Sequence, residues 1–92
     1  MIVCPLHAHY SSAHLERVAA EMRRLGAPAI RAHYDAAYGV WLAQEGTHRL
    51  RAALLLGLAP VMIPVQWPRS RRALERARFA AIRNAHVFGG GR

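Results

Sequence analysis

The sequence predicts one small domain of the α/β (α+β) class, and three observations carry that prediction. Ninety-two residues suffice for one hydrophobic core and are too few for two. A composition that is 53% hydrophobic and 20% charged belongs to a globular chain rather than a disordered one. Short β-branched runs alternate with segments whose apolar residues recur at helical spacing, and glycine or proline stands at nearly every junction. A domain of this size buries only about 60% of the surface its unfolded chain exposes. Its stability margin is thin, and a ligand or a second copy of the chain would add to it.

Taken in order, Met1 to Leu6 is an apolar run that reads as a strand, which Pro5 ends or places at an edge. Ser11 or Ser12 caps a helix carrying Leu15, Val18, Ala19, Met22 and Leu25 on one stripe, with Glu16, Arg17, Glu21 and Arg24 off it. Gly26 stops that helix and Pro28 prevents it from resuming. Ala29 to Tyr34 reads as a strand, Asp35 to Gly39 as a turn and Val40 to Gln44 as a second strand, together a hairpin. A second helix opens at Gly46 or Thr47 and carries Leu50, Ala53 and Leu54 before Gly57. Val61 to Val65 is the next strand. A third helix starts near Ser70, with Leu74, Ala77, Ala81 and Ala85 on one side and Arg72, Arg76 and Arg83 on the other. Residues 89–92, Gly-Gly-Gly-Arg, form a flexible tail. Phe79 and Phe88, on or after the third helix, are read as exposed and suit a homodimer contact.

The formal net charge is +8, and all thirteen basic residues are arginine. A chain without lysine points to a codon bias, so position says more than number. Between Pro68 and Arg92 seven arginines face one acid, Glu75, which places six of the eight net positive charges in the last quarter of the chain. Such asymmetry suits an anionic partner, and Arg69, Arg71, Arg72, Arg76 and Arg83 are the candidate nucleic-acid contacts. A solvated helix face is the plainer alternative. The lone cysteine, Cys4, excludes an internal disulfide framework. The longest apolar stretch, Ala52 to Val65, is too short to span a bilayer and is broken by Gly57, Pro60 and Pro64. The first residues lack the features of a secretory signal, so a cytoplasmic protein with no membrane partner is expected.

The segment richest in chemistry is Val40-Trp41-Leu42-Ala43-Gln44-Glu45-Gly46-Thr47-His48-Arg49-Leu50-Arg51-Ala52-Ala53. It reads as a strand, a tight glycine turn and a helix start. A helix start offers unpaired backbone N–H groups and a partial positive charge, and Gly46 lets an anion approach the backbone closely. Thr47 adds a hydroxyl, and Arg49 is able to grip phosphate oxygens with two parallel bonds. Micromolar affinity needs about 8 kcal/mol. Charge-assisted hydrogen bonds supply roughly 1.5–3 kcal/mol each and the helix start up to ~2, so a phosphate site here is energetically reasonable. Glu45 is a candidate general base or metal ligand, and equally a candidate ion-pair partner of Arg49.

This arrangement resembles the N-terminal domain of ParB proteins and its sulfiredoxin relatives. The resemblance is carried by the order helix, Gly26, strand, turn, strand, then Glu-Gly-Thr-His-Arg-Leu-Arg-Ala-Ala, Leu-Gly-Leu and a strand ending Ile63-Pro64-Val65. It implies a small mixed sheet with three helices. It divides the chain into a phosphate-binding core over residues 1–66 and an Arg-rich C-terminal helix over 67–88, packed on or extending the same domain. It also implies nucleotide phosphates at the turn, ATP, ADP or CTP with or without magnesium, held by Gly46, Thr47, His48, Arg49 and Arg51. A phosphotransferase or nucleotide hydrolase would use Glu45 as base and His48 on the phosphates. Thr47 stands where sulfiredoxin has its catalytic cysteine, so that chemistry is not implied. The later Glu-Asn-x-x-Arg motif of ParB is not found either, so CTP switching is not implied. The alternative class is a non-catalytic DNA- or RNA-binding or regulatory protein using the Arg-rich helix.

Cys4, His7, His9 and His14 lie close in sequence but do not have the spacing of a zinc finger. A buried Cys4 with surface histidines is the expectation, with His7 or His9 bordering the nucleotide cleft. Trp41 and Trp67 are expected to pack at the core and the sheet edge.

Overall fold

A computed structural model of the chain describes residues 1–89. In chain order the elements are β1 (Ile2–Pro5), α1 (Ser12–Leu25), β2 (Ala29–Asp35), β3 (Val40–Ala43), α2 (Thr47–Leu56), β4 (Val61–Pro64), α3 (Arg71–Ala81), a 3₁₀ turn (Ile82–Asn84) and β5 (His86–Val87). The strands form a five-stranded mixed sheet in the order β4-β2-β3-β1-β5. β1 runs parallel to β3 and β2 parallel to β4, while β2–β3 and β1–β5 are antiparallel. The fold class is therefore the expected one, a mixed sheet with three helices.

Side-chain alternation along the central strands explains the layers. Val3 of β1 and Ala43 of β3 face one side, where they meet Leu15, Ala19 and Met22 of α1 and Leu50, Ala52 and Ala53 of α2. Cys4, Val40 and Leu42 face the other side and are covered by Ala77 and Ala81 of α3. Strands apolar on both faces need helices on both. Alanine at the α3 contact lets the helix backbone come close to the sheet.

Local signals set most of the boundaries. Ser11 caps α1, its hydroxyl accepting from the His14 N–H, and Ser70 caps α3 through the Ala73 N–H. Gly57 closes α2 in the left-handed region, φ 71°. The β2–β3 hairpin closes where the Asp35 carbonyl accepts from the N–H groups of Tyr38 and Gly39. Pro64 sits in the edge strand β4, and the ladder shows why it is tolerated. Val61 and Val65 donate to Pro28 and Ala32, so by alternation residue 64 turns its missing donor toward the outer edge.

α3 is held by an ion pair to a buried carboxylate. Asp35, at the end of β2, is only 3% exposed and accepts from Arg78 Nε at 2.7 Å and Nη2 at 3.0 Å. The Arg78 guanidinium also lies 4.5 Å from the centre of the Tyr38 ring. This is the one salt bridge among the described residues.

Several sequence expectations are corrected. The C-terminal helix does not run through 67–88. It stops at Ala81, because the Asn84 side chain turns in to donate to the carbonyls of Pro5 and Leu6, and Ala85 is extended. His86 and Val87 then add a fifth strand beside β1. Phe88 is not exposed: it is buried in the α1–α2 core, with its backbone paired to Met1. Leu54 and Leu25 face outward, and Ala52 takes the core place assigned to Leu54. Of the expected tail at 89–92, the last three positions lie outside the described residues.

Leu42 is fully buried between the layers, so Leu42→Ala should destabilise the fold by about 2–5 kcal/mol, read from the shift in urea midpoint. Hydrogen bonds from Arg78 hold the Asp35 carboxyl below the usual carboxylate range. Its contribution to stability is whole above about pH 4 and is lost as pH falls through the lowered value. Asp35→Asn should be less stable than the parent at neutral pH, and urea melts in acid should show that difference shrinking.

Candidate functional site

The glycine turn lies where β3 hands over to α2. Gly46 is the residue before the helix, at φ 107° and ψ 14°, and a Cβ there would come 3.3 Å from Ile30 Cδ1. Both facts call for glycine. No side chain caps this helix start, unlike those of α1 and α3. The first-turn N–H groups of α2 thus have no side-chain partner, and the helix contributes partial positive charge there.

The segment between β1 and α1 is tied against this turn. The Thr47 hydroxyl donates to the His7 carbonyl at 2.8 Å. The Ser11 N–H donates to His48 Nε2 at 3.0 Å. Ser11 therefore receives from His48 what a Glu or Gln three residues on would supply in a capping box, while its own hydroxyl serves His14. The His14 ring meets the His48 ring edge-on, with centroids 4.3 Å apart. The Arg51 guanidinium lies 4.0 Å from the Tyr10 ring centre, and its Nε is buried without a partner.

Accepting at Nε2 leaves His48 a neutral ring with its proton on Nδ1. Burial pushes its pKa below the ordinary histidine value, and the positive fields of His14, Arg51 and His9 act the same way. Arg51 is thus close enough for its charge to be felt at this turn.

Two hollows flank the start of α2. The larger, about 540 Å³, is lined by His7, His9, Tyr10, Ser11, Gly46, Thr47 and His48 and contains no carboxylate. The smaller, about 230 Å³, is lined by His14, Val18 and residues 45–49. Gly46, Thr47 and His48 border both, and His7 and His9 border the larger one. Glu45 and Arg49 belong to the smaller one. Arg49 donates to the Ala29 carbonyl at 3.0 Å rather than reaching across the turn, and it forms no ion pair with Glu45. Arg51 is held behind the loop by Tyr10. Cys4 is buried, and no group of three or more metal-ligating side chains converges among the described residues. Arg69, Arg71, Arg72, Arg76 and Arg83 are all exposed, and α3 itself packs on the opposite face of the sheet from α2. No described helix is long and apolar enough to cross a membrane.

Sequence reading missed Tyr10, Ser11 and His14 as partners of the turn. Only the histidines at 14 and 48 hinted at them, and nothing in the sequence said that these two would meet.

Because the folded state holds His48 below its ordinary pKa, its contribution to stability is whole above about pH 6.5 and is lost as pH falls through the lowered value. Thermal melts of His48→Gln, which stays neutral, should decline less between about pH 7.5 and 5 than those of the parent.

No family profile, curated protein or solved structure matches the chain, and the chemistry of the turn rests on its own residues.

Proposed function

We propose that the chain binds a nucleotide, with its phosphates seated at the start of α2 in the hollow between that turn and residues 7–11. The observation that carries this reading is an uncapped helix start opening onto a 540 Å³ hollow without a carboxylate. Backbone N–H groups suit phosphate oxygens in such a place. The exposed rings of His7, His9 and Tyr10 offer surfaces for a base or ribose. Thr47 and His48 are engaged with the loop, so their part is to hold the wall of the hollow in position and leave the phosphate to the backbone.

Magnesium favours carboxylate oxygens and this wall has none, so magnesium would arrive on the nucleotide's own phosphates. Hydrolysis or transfer would need a base, and Glu45, across the turn in the neighbouring hollow, is the candidate. Binding without turnover would make the domain a sensor module.

Thermal melting with ATP, ADP, CTP and GTP, each with and without magnesium, tests the proposal. Ligand at 100 times its Kd adds about 2.7 kcal/mol to the native state, which in a domain of this size raises Tm by roughly 10–20 °C. His9→Glu places a carboxylate on the exposed rim of the hollow and should abolish the shift. Arg49→Ala, on the far side of the turn, should reduce it less. No shift with any nucleotide at millimolar concentration would overturn the proposal.

A further inference from the structure

The outward surface of α3 is not explained by folding. At about 100° per residue, Arg72, Arg76 and Phe79 fall on one narrow stripe, opposite the buried Ala77 and Ala81, and Arg83 in the following turn continues its line. Every one of these four side chains is exposed, and Phe79 is 72% exposed. A phenylalanine this open adds nothing to the core. Arg72 and Arg76, four apart, repel each other along the helix. Arg71 and Arg72 occupy the first turn, where the helix dipole disfavours cations and which holds no acid. Codon bias accounts for arginine in place of lysine but not for this pattern, since α1 interleaves its arginines with Glu16 and Glu21. The one acid of α3, Glu75, forms no ion pair.

We propose that this stripe is a docking surface for single-stranded nucleic acid, with Phe79 as a stacking platform for an unpaired base and the flanking arginines on the adjacent phosphates. Charge complementarity selects an anionic polymer, because like charges spaced along a helix lose their repulsion when each meets a phosphate. The aromatic ring selects single strands. A duplex keeps its bases stacked inside, whereas an unpaired base covers an exposed ring regardless of its identity. The Arg83 guanidinium lies 5.6 Å from the centre of the Phe79 ring, so cation and platform are already neighbours. From Arg72 to Arg83 the stripe is about 16 Å long at the helical rise per residue, room for a few nucleotides. The surface lies on the opposite side of the sheet from the α2 turn, and the proposal does not depend on nucleotide binding there.

Fluorescence anisotropy with labelled single-stranded oligonucleotides, and with a duplex of the same length, tests it. Single strands should bind more tightly than duplex with little base preference, and log K should fall with log salt at a slope of about −2 if three phosphates are met. Phe79→Ala should weaken binding by roughly 5- to 150-fold, the range for losing one stacked base, and Phe79→Trp should restore it. Arg76→Ala should reduce the salt slope by about 0.7. Both positions are exposed, so circular dichroism should show the variants folded. Duplex bound as tightly as single strand, affinity indifferent to salt, or Phe79→Ala without effect would each overturn the proposal. So would sedimentation showing a dimer of the chain that Phe79→Ala dissociates.

Discussion

Everything in this fold follows from a central pair of strands with no polar face. β1 and β3 lie side by side in the middle of the sheet, and Val3, Cys4, Leu42 and Ala43 are all fully buried. A sheet apolar on both sides is stable only between two layers. α1 and α2 make one layer, and α3 alone makes the other. That is a heavy demand on a single short helix whose apolar contacts are largely alanine. The Asp35–Arg78 pair meets part of it. It joins α3 to the hairpin end of β2 with two charge-assisted bonds, and the geometry is bidentate, so it sets the helix's rotation as well as its place. With Arg78 turned inward, the other arginines of α3 must face solvent.

A second constraint acts on the opposite side. The segment from β1 to α1 has no secondary structure between Leu6 and Ser11, and its order comes from the start of α2. Thr47, His48 and Arg51 each engage it, through the His7 carbonyl, the Ser11 N–H and the Tyr10 ring. The side chains that looked like ligands therefore act first as a latch between two helix starts. What remains open to a ligand is the backbone of the turn and the hollow that the latch props apart. Positive character thus has two forms in this molecule. One is a recess with helix-start donors and histidines, and the other is a convex arginine face, with the sheet between them.

Much of the fold was legible because its signals are local. Ser11 and Ser70 cap helices, Gly26 and Gly57 end them, and the hairpin residues from Ala29 to Ala43 alternate as paired strands do. The illegible parts are those where local pattern is ambiguous or overruled. α2 is apolar nearly all round, so the sequence could not say that Leu54 faces out and Ala52 in. Helical spacing continues past Ala81 to Ala85, yet the Asn84 amide finds two carbonyls at the end of β1, and the chain leaves the helix to become a strand. Phe88 followed, from an assumed surface position into the core.

The candidate turn shows the same division. Gly46 and the helix start after it were determined by sequence alone, because a glycine between an apolar strand and a helical segment leaves few alternatives. The class of the fold and the excess of arginine near the C-terminus were likewise intrinsic to the chain. Only the tertiary structure decided that Arg78 anchors α3 to a buried Asp35 while Arg72, Arg76 and Arg83 stay free, that Arg49 turns to Ala29, and that His48 joins His14 and Ser11 across more than thirty residues. Caps, turns and strand alternation act between residues a few positions apart and can be read along the chain. The partners of long, charged or ring side chains are chosen by whichever acceptors the packed layers bring within about 3 Å, and that choice exists only once the sheet and helices have assembled.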